Sequence, residues 1–162
     1  MPDVHDATTR SRNMAAVRGK NTRPELLIRK GLHLRGLRYR LHVKDLPGKP
    51  DLVFPKYGAV LFIHGCFWHG HDCSLFRLPA TRTEFWRGKI AGNVLRDQKS
   101  LQELSELGWR TGMIWECALR GKGRKNPQIV LSAVEDWLRG AVPELCISGL
   151  SATGSGIRQE IG

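Results

Sequence analysis

The chain has 162 residues, with 26 Lys and Arg against 15 Asp and Glu, a formal charge of +11 and a pI near 10.1. That length suits one domain rather than two, and the charge makes a polyanion, nucleic acid first, the expected partner. No long apolar run or signal-like opening points to a membrane, so the four cysteines, Cys66, Cys73, Cys117 and Cys146, are expected as reduced thiols rather than a disulfide framework.

Residues 1–20 mix Thr, Arg, Asn and Met, and Thr8 or Thr9 is placed to cap a short basic helix ending at Gly19. With only Met14, Ala15, Ala16 and Val17 apolar, this stretch suits either an arm laid along phosphates or a frayed terminus. Thr22-Arg-Pro-Glu25 has the pattern of a capping box. It predicts a helix over about 23–35, with Leu27, Ile28, Gly31, Leu32 and Leu34 as its apolar face and Gly36 as its stop. On spacing alone, Glu25 reads as part of a cap rather than as a catalytic group.

Three strands are expected next, over 37–43, 50–54 and 59–64, with turns at Pro47-Gly48 and Pro55-Lys-Tyr-Gly58. Thr81-Arg-Thr-Glu84 repeats the capping-box pattern and opens a long helix to about Leu107, with Gly108 closing it. A strand over 109–115 and a helix over 127–139 follow. Beyond Gly140 the Gly, Ser and Ala content predicts a loose tail over 141–162, leaving Cys146 as the odd thiol. The order is helix, three strands, helix, strand, helix, which makes an α/β sandwich around a mixed sheet over residues 21–140.

Within this frame, Leu61 to Cys73 concentrates three histidines and two cysteines. Zinc takes about four thiolate or imidazole ligands, and Cys66, His71, Cys73 and Cys117 can supply such a set, with His69 as an alternative donor. The spacing matches no common zinc finger, and unrelated buried thiols are the other reading. Asp51 starts an apolar strand after a proline-rich turn. A carboxylate there can hold Mg²⁺ against a phosphate, or simply cap the turn.

Pro50-Asp51, Phe62-Ile63-His64, Gly65-Cys-Phe-Trp-His69, Pro79-Ala-Thr-Arg-Thr-Glu-Phe-Trp86 and Trp115-Glu-Cys-Ala-Leu-Arg120 occur in an order that resembles the very short patch repair (Vsr) mismatch endonucleases, from about Asp3 to Trp137. The resemblance implies a restriction-endonuclease-like fold, a modified PD-(D/E)xK three-layer sandwich with a central mixed sheet and a structural zinc site. It also implies a nick on the 5′ side of the thymine of a T:G mismatch, the lesion left by deamination of 5-methylcytosine, which starts very short patch repair. Asp51 and the backbone carbonyl of Ile63 would ligate a catalytic Mg²⁺, His69 would activate or position the attacking water, Glu25 would hold metal-bound water, and His64 would stand in the place of the usual lysine. Cys66, His71, Cys73 and Cys117 match the family's zinc ligands.

The same resemblance makes Phe67, Trp68 and Trp86 a wedge entering the base stack, Met14 part of a minor-groove clamp, and Lys89 and Asn93 neighbours of the mismatched pair. Its implied partners are double-stranded DNA with a T:G mismatch and MutL-type repair proteins, for a monomer acting on DNA in the cytoplasm. Ile63 departs from the threonine associated with this position in the family, and Gly70 and Asp72 interrupt a run of histidines. Two other functions compete: a related nuclease with broader mismatch or restriction-like specificity, and a zinc-stabilised DNA-binding module without catalysis.

Overall fold

The computed structural model describes residues 22–149, so the arm expected over 1–20, Met14 included, lies outside the described residues. Helix α1 (Arg23–Leu34) begins as its sequence requires: extended Thr22 accepts the Glu25 N–H through its hydroxyl at 3.4 Å. It ends at Gly36, where φ is +85° and the Leu37 N–H returns to the Leu32 carbonyl at 3.1 Å. The reciprocal half of the expected capping box is replaced by another contact, because the Glu25 carboxylate is turned to Arg29 and His42.

Strands β1 (Arg40–Leu41), β2 (Leu52–Phe54) and β3 (Ala59–His64) follow, then helix α2 (Thr83–Glu106), strand β4 (Arg110–Trp115), helix α3 (Pro127–Arg139) and strand β5 (Glu144–Ile147). They form one five-stranded sheet in the order β1-β2-β3-β4-β5. The first three strands are antiparallel and the last three parallel, so the sheet is mixed as expected.

Three boundaries differ from the sequence reading. The strand expected over 37–43 shrinks to two residues; His42 takes a left-handed φ of +49°, and the pairing stops with its N–H on the Asp51 carbonyl. Thr81 does not cap α2: Arg82 occupies the cap position with φ +56°, and the Thr83 hydroxyl turns back to the Pro79 carbonyl at 2.8 Å. The tail expected from residue 141 is a correction of more weight, since Glu144–Ile147 pairs in parallel with β4 and buries Leu145 and Ile147. Four residues flanked by Gly and Ser carry a weak strand signal, and the neighbouring strand supplies the missing hydrogen bonds.

Alternation along the strands sends side chains to two faces, each covered by helix. Ile28 and Leu32 of α1, with Val130, Leu131, Val134, Trp137 and Leu138 of α3, pack on Leu52, Phe54, Ala59, Leu61, Ile114, Leu145 and Ile147. Leu104, with Leu101 beside it, covers Val53, Val60, Phe62 and Met113 on the opposite face. Only the C-terminal half of α2 is needed for that. Its N-terminal half runs over the loop after β3, where Ile90 and Val94 lie against Gly70. No helix among the described residues is long and apolar enough to cross a membrane.

Candidate active site and metal centre

Parallel pairing delivers two strand ends to one place. His64 and Trp115 are register partners, so Cys66 and Cys117, each two residues further on, leave the sheet side by side. The loop then folds back, with the His71 N–H on the Cys66 carbonyl at 2.9 Å and the Phe76 N–H on the Cys73 carbonyl at 3.1 Å. One ligand atom from each of Cys66, His71, Cys73 and Cys117 lies within 4.8 Å of the other three, a cluster that could hold a metal ion.

Neighbouring groups fix this cluster from several sides. The His71 ring stacks on Trp115 with centroids 4.2 Å apart and planes 9° apart, and its Nδ1 lies 3.6 Å from Cys117 Sγ. The Gly149 N–H, just beyond β5, donates to the same sulfur at 3.2 Å. Hydrogen bonding from the Cys66 thiol, then from His71 and Gly149, holds Cys117 down to about 4, whereas that partnership and burial push Cys66 well up. Burial also raises Cys73. Three sulfurs and one nitrogen, with one thiol already poised as thiolate, form a donor set chemically suited to zinc.

Beside this cluster a cleft of about 990 Å³ opens between α1, the ends of β2 and β3, and α2. One wall is acidic. Asp51 precedes β2, and its Oδ2 accepts the Ile63 N–H at 2.7 Å. Burial, joined by the Glu25 carboxylate, nevertheless pushes the Asp51 carboxyl up to about 6 against that hydrogen bond. Glu25 is buried, with both oxygens 3.0 Å from His42 Nε2 and Oε2 3.1 Å from Arg29.

The other wall carries imidazoles. His69 Nδ1 lies 2.6 Å from Asp97 Oδ2, and the His69 ring stacks on that of His64. His64 is buried, and its Nδ1 has no partner among the described residues. Burial, reinforced by His69, holds the His64 ring well below the ordinary histidine range, so it is neutral. Arg23, Lys49, Arg96 and Arg120 line the same cleft.

Asp51, Glu25, Ile63, His64 and His69 therefore meet around one cleft, and the four Cys and His donors meet beside it. Phe67, Trp68 and Trp86 form one aromatic cluster, with ring centroids 5.1 to 5.8 Å apart. Trp68 is buried within it, while Phe67 reaches the cleft. Asn93 donates to the Trp68 carbonyl at 2.9 Å, bracing the loop, and Lys89 lies one turn before it on α2.

Two residues of this site were missed from the sequence, Asp97 in the cleft wall and His42 against Glu25. Asp97 had a signal: it follows Lys89 and Asn93 at steps of four, which places all three on one helical face. His42 had none, because its position depends on a left-handed turn that no motif announces.

The family model described as DNA mismatch endonuclease Vsr matches residues 2–75. The DNA mismatch endonuclease Vsr of Escherichia coli is 47% identical over 140 residues, covering 86% of this chain and 90% of that protein. A type II nicking enzyme of Xanthomonas oryzae pv. oryzae, V.XorIIP, is 52% identical over 110 residues, covering 68% of this chain and 81% of that enzyme. Another from Neisseria meningitidis serogroup A, V.NmeAIP, is 44% identical over 122 residues, covering 75% and 87% respectively.

Proposed function

The chain belongs to the Vsr family of DNA mismatch endonucleases, and from that premise we propose that it nicks DNA on the 5′ side of the thymine in a T:G mismatch, the product of 5-methylcytosine deamination, and so starts very short patch repair. The observation that carries this reading is a half-buried carboxylate, Asp51, facing across one cleft an imidazole, His69, that is paired with Asp97. The restriction-endonuclease-like class, with its modified PD-(D/E)xK site, accommodates the helix-covered mixed sheet and the place of Asp51 at a strand start.

Asp51 and the Ile63 carbonyl are assigned as ligands of a catalytic Mg²⁺. The Ile63 N–H points at Asp51, and in an extended strand the C=O of the same residue faces the same edge. A carboxyl pushed up to about 6 by burial and a second carboxylate is a negative charge short of a cation, which fits this role. Mg²⁺, when bound, supplies Lewis-acid polarisation of the scissile phosphate and stabilisation of the leaving 3′ oxygen. The use of a backbone carbonyl makes isoleucine at position 63 compatible with the site.

His69 acts as general base. With its Nδ1–H donated to Asp97, Nε2 keeps the lone pair that takes a proton from the attacking water. His64 holds the His69 ring in place by stacking, and its neutrality avoids a second positive charge there. Glu25 completes the acidic wall and orders water. Arg23, Lys49, Arg96 and Arg120 attract the backbone phosphates, and the aromatic cluster wedges the stack at the mismatch, with Phe67 and Trp86 presented and Trp68 packed among them.

Cys66, His71, Cys73 and Cys117 are assigned to a structural Zn²⁺, since four protein donors leave no open position for chemistry. On this reading the protein works as a monomer on DNA in the cytoplasm, with MutL-type repair proteins as partners.

The test is a panel of T:G, other mismatched and fully paired duplexes in several flanking contexts, incubated with Mg²⁺. Nicking confined to the T strand of T:G duplexes is expected; equal nicking of every duplex rejects the repair assignment. The relatives named as type II nicking enzymes favour one second reading, a nuclease with restriction-linked sequence context. Context dependence within the same panel separates the two. Nicking that disappears in Asp51→Ala excludes a non-catalytic DNA-binding module.

A further inference from the structure

Glu25, His42 and Asp51 each offer one ligand atom within 4.8 Å of the others. His42 Nε2 is 3.0 Å from both Glu25 oxygens, and the His42 backbone N–H donates to the Asp51 carbonyl at 3.1 Å. One residue thus grips the acidic wall through ring and backbone at once. It does so from a left-handed φ of +49°, a conformation that a residue bearing a Cβ keeps only where its surroundings hold it. One ligand atom of His42 and one of Asp51 are thus close enough to be drawn onto one cation, with Glu25 beside them to hold its water.

Resting on the nuclease reading above, we propose that His42 is a third protein ligand of the catalytic cation and gives this site a preference for Mn²⁺ or Co²⁺ over Mg²⁺. Mg²⁺ takes oxygen donors and retains its waters, whereas first-row transition ions, Mn²⁺ and Co²⁺ among them, accept an imidazole nitrogen beside carboxylates more readily. Glu25 and Asp51 are oxygen donors only, so the nitrogen of His42 is what changes the selectivity of this wall. Arg29, 3.1 Å from Glu25 Oε2, anchors that carboxylate beside the ring and adds no donor of its own.

The experiment uses the full chain, zinc-loaded and free of DNA, with Mn²⁺ as the probe. Mn²⁺ and Mg²⁺ affinities are measured by calorimetric titration for the wild type, His42→Gln and Asp51→Asn, and pulsed EPR on the Mn²⁺-loaded wild type reads nitrogen coordination directly. Expected are Mn²⁺ binding at least about tenfold tighter than Mg²⁺, and a loss of about tenfold for Mn²⁺ in His42→Gln with Mg²⁺ changed by no more than about threefold. A ¹⁴N coupling from bound imidazole should be present in the wild type and absent in His42→Gln, and Asp51→Asn should bind neither ion.

A parallel loss of both ions in His42→Gln would reduce His42 to a hydrogen-bonding clamp and overturn the proposal. So would a wild-type Mn²⁺ spectrum without ¹⁴N coupling, a result that needs no variant to fold. Wild-type protein that shows the imidazole coupling yet nicks no mismatch with any of the three ions leaves the ligand assignment standing and defeats the nuclease reading.

Discussion

The imidazoles of His64 and His69 lie face to face, with centroids 3.6 Å apart and planes 6° apart. Two positive rings at that separation would repel strongly, and burial already decides which one stays neutral. His69, at the cleft and paired with Asp97, is the ring assigned to proton transfer on the proposed reading.

Replacing His69 with Ala is therefore expected to reduce nicking by about 10²- to 10⁴-fold. Asp97→Asn, which keeps the shape but weakens the orienting hydrogen bond, should cost about 10- to 100-fold in kcat with little change in KM. Single-turnover nicking and mismatch binding on the same duplex measure both. Wild-type kcat in Asp97→Asn would reduce that carboxylate to packing.

Asp51 makes a pH prediction with a definite sign. Its folded pKa of about 6 exceeds the ordinary 3.8, so folding favours the protonated acid. That contribution to stability is present below about pH 4 and is lost as pH rises through about 6. Asp51→Asn imitates the protonated form. With zinc retained and no other divalent ion, it should be more stable than wild type at pH 7.5 by roughly 1 to 3 kcal/mol, with the gap narrowing at pH 5. Urea denaturation at the two pH values reads this directly; parallel curves would refute it. The variant should not nick.

The aromatic cluster separates stability from recognition. Trp68 is buried, and Trp68→Ala is expected to cost about 3 to 5 kcal/mol. Phe67 is half-buried at the cleft, so Phe67→Ala should cost less, about 1 to 2 kcal/mol, yet lower the preference for mismatched over paired duplex by about tenfold. Melting curves alongside competition binding distinguish the two effects. Equal losses in both assays for both variants would mean that the cluster only packs.

Removing a zinc donor tests the metal centre. On the zinc assignment, Cys117→Ser should lower the zinc bound and cost on the order of 4 kcal/mol, about 10 °C in Tm. Elemental analysis and thermal melting supply the measurements. Full zinc content with an unchanged Tm would show the thiols to be simple core residues.

Much of this site was readable from residue order, because its parts lie next to strong local signals. Cys66 and His69 follow an apolar strand, Asp51 precedes one, and Gly36 and Gly108 mark helix ends where φ is +85° and +90°. What was not readable depends on tertiary partners. Arg82 and His42 take left-handed backbones that override the expected cap and strand. Glu25 had a sound local explanation as a cap, which concealed its place in the acidic wall. Glu144–Ile147 becomes a strand only because β4 offers an open parallel edge.

That strand also bears on the metal cluster. All four sulfur and nitrogen donors lie at or before residue 117, whereas the Gly149 N–H that reaches the Cys117 sulfur comes after β5. Gly149 passes so close to Cys117 that a Cβ there would collide with the Cys117 carbonyl, so this crossing is a closely packed side of the cup rather than a loose overhang. Undocking β5 would thus leave all four donors present but take from Cys117 the N–H that steadies its sulfur.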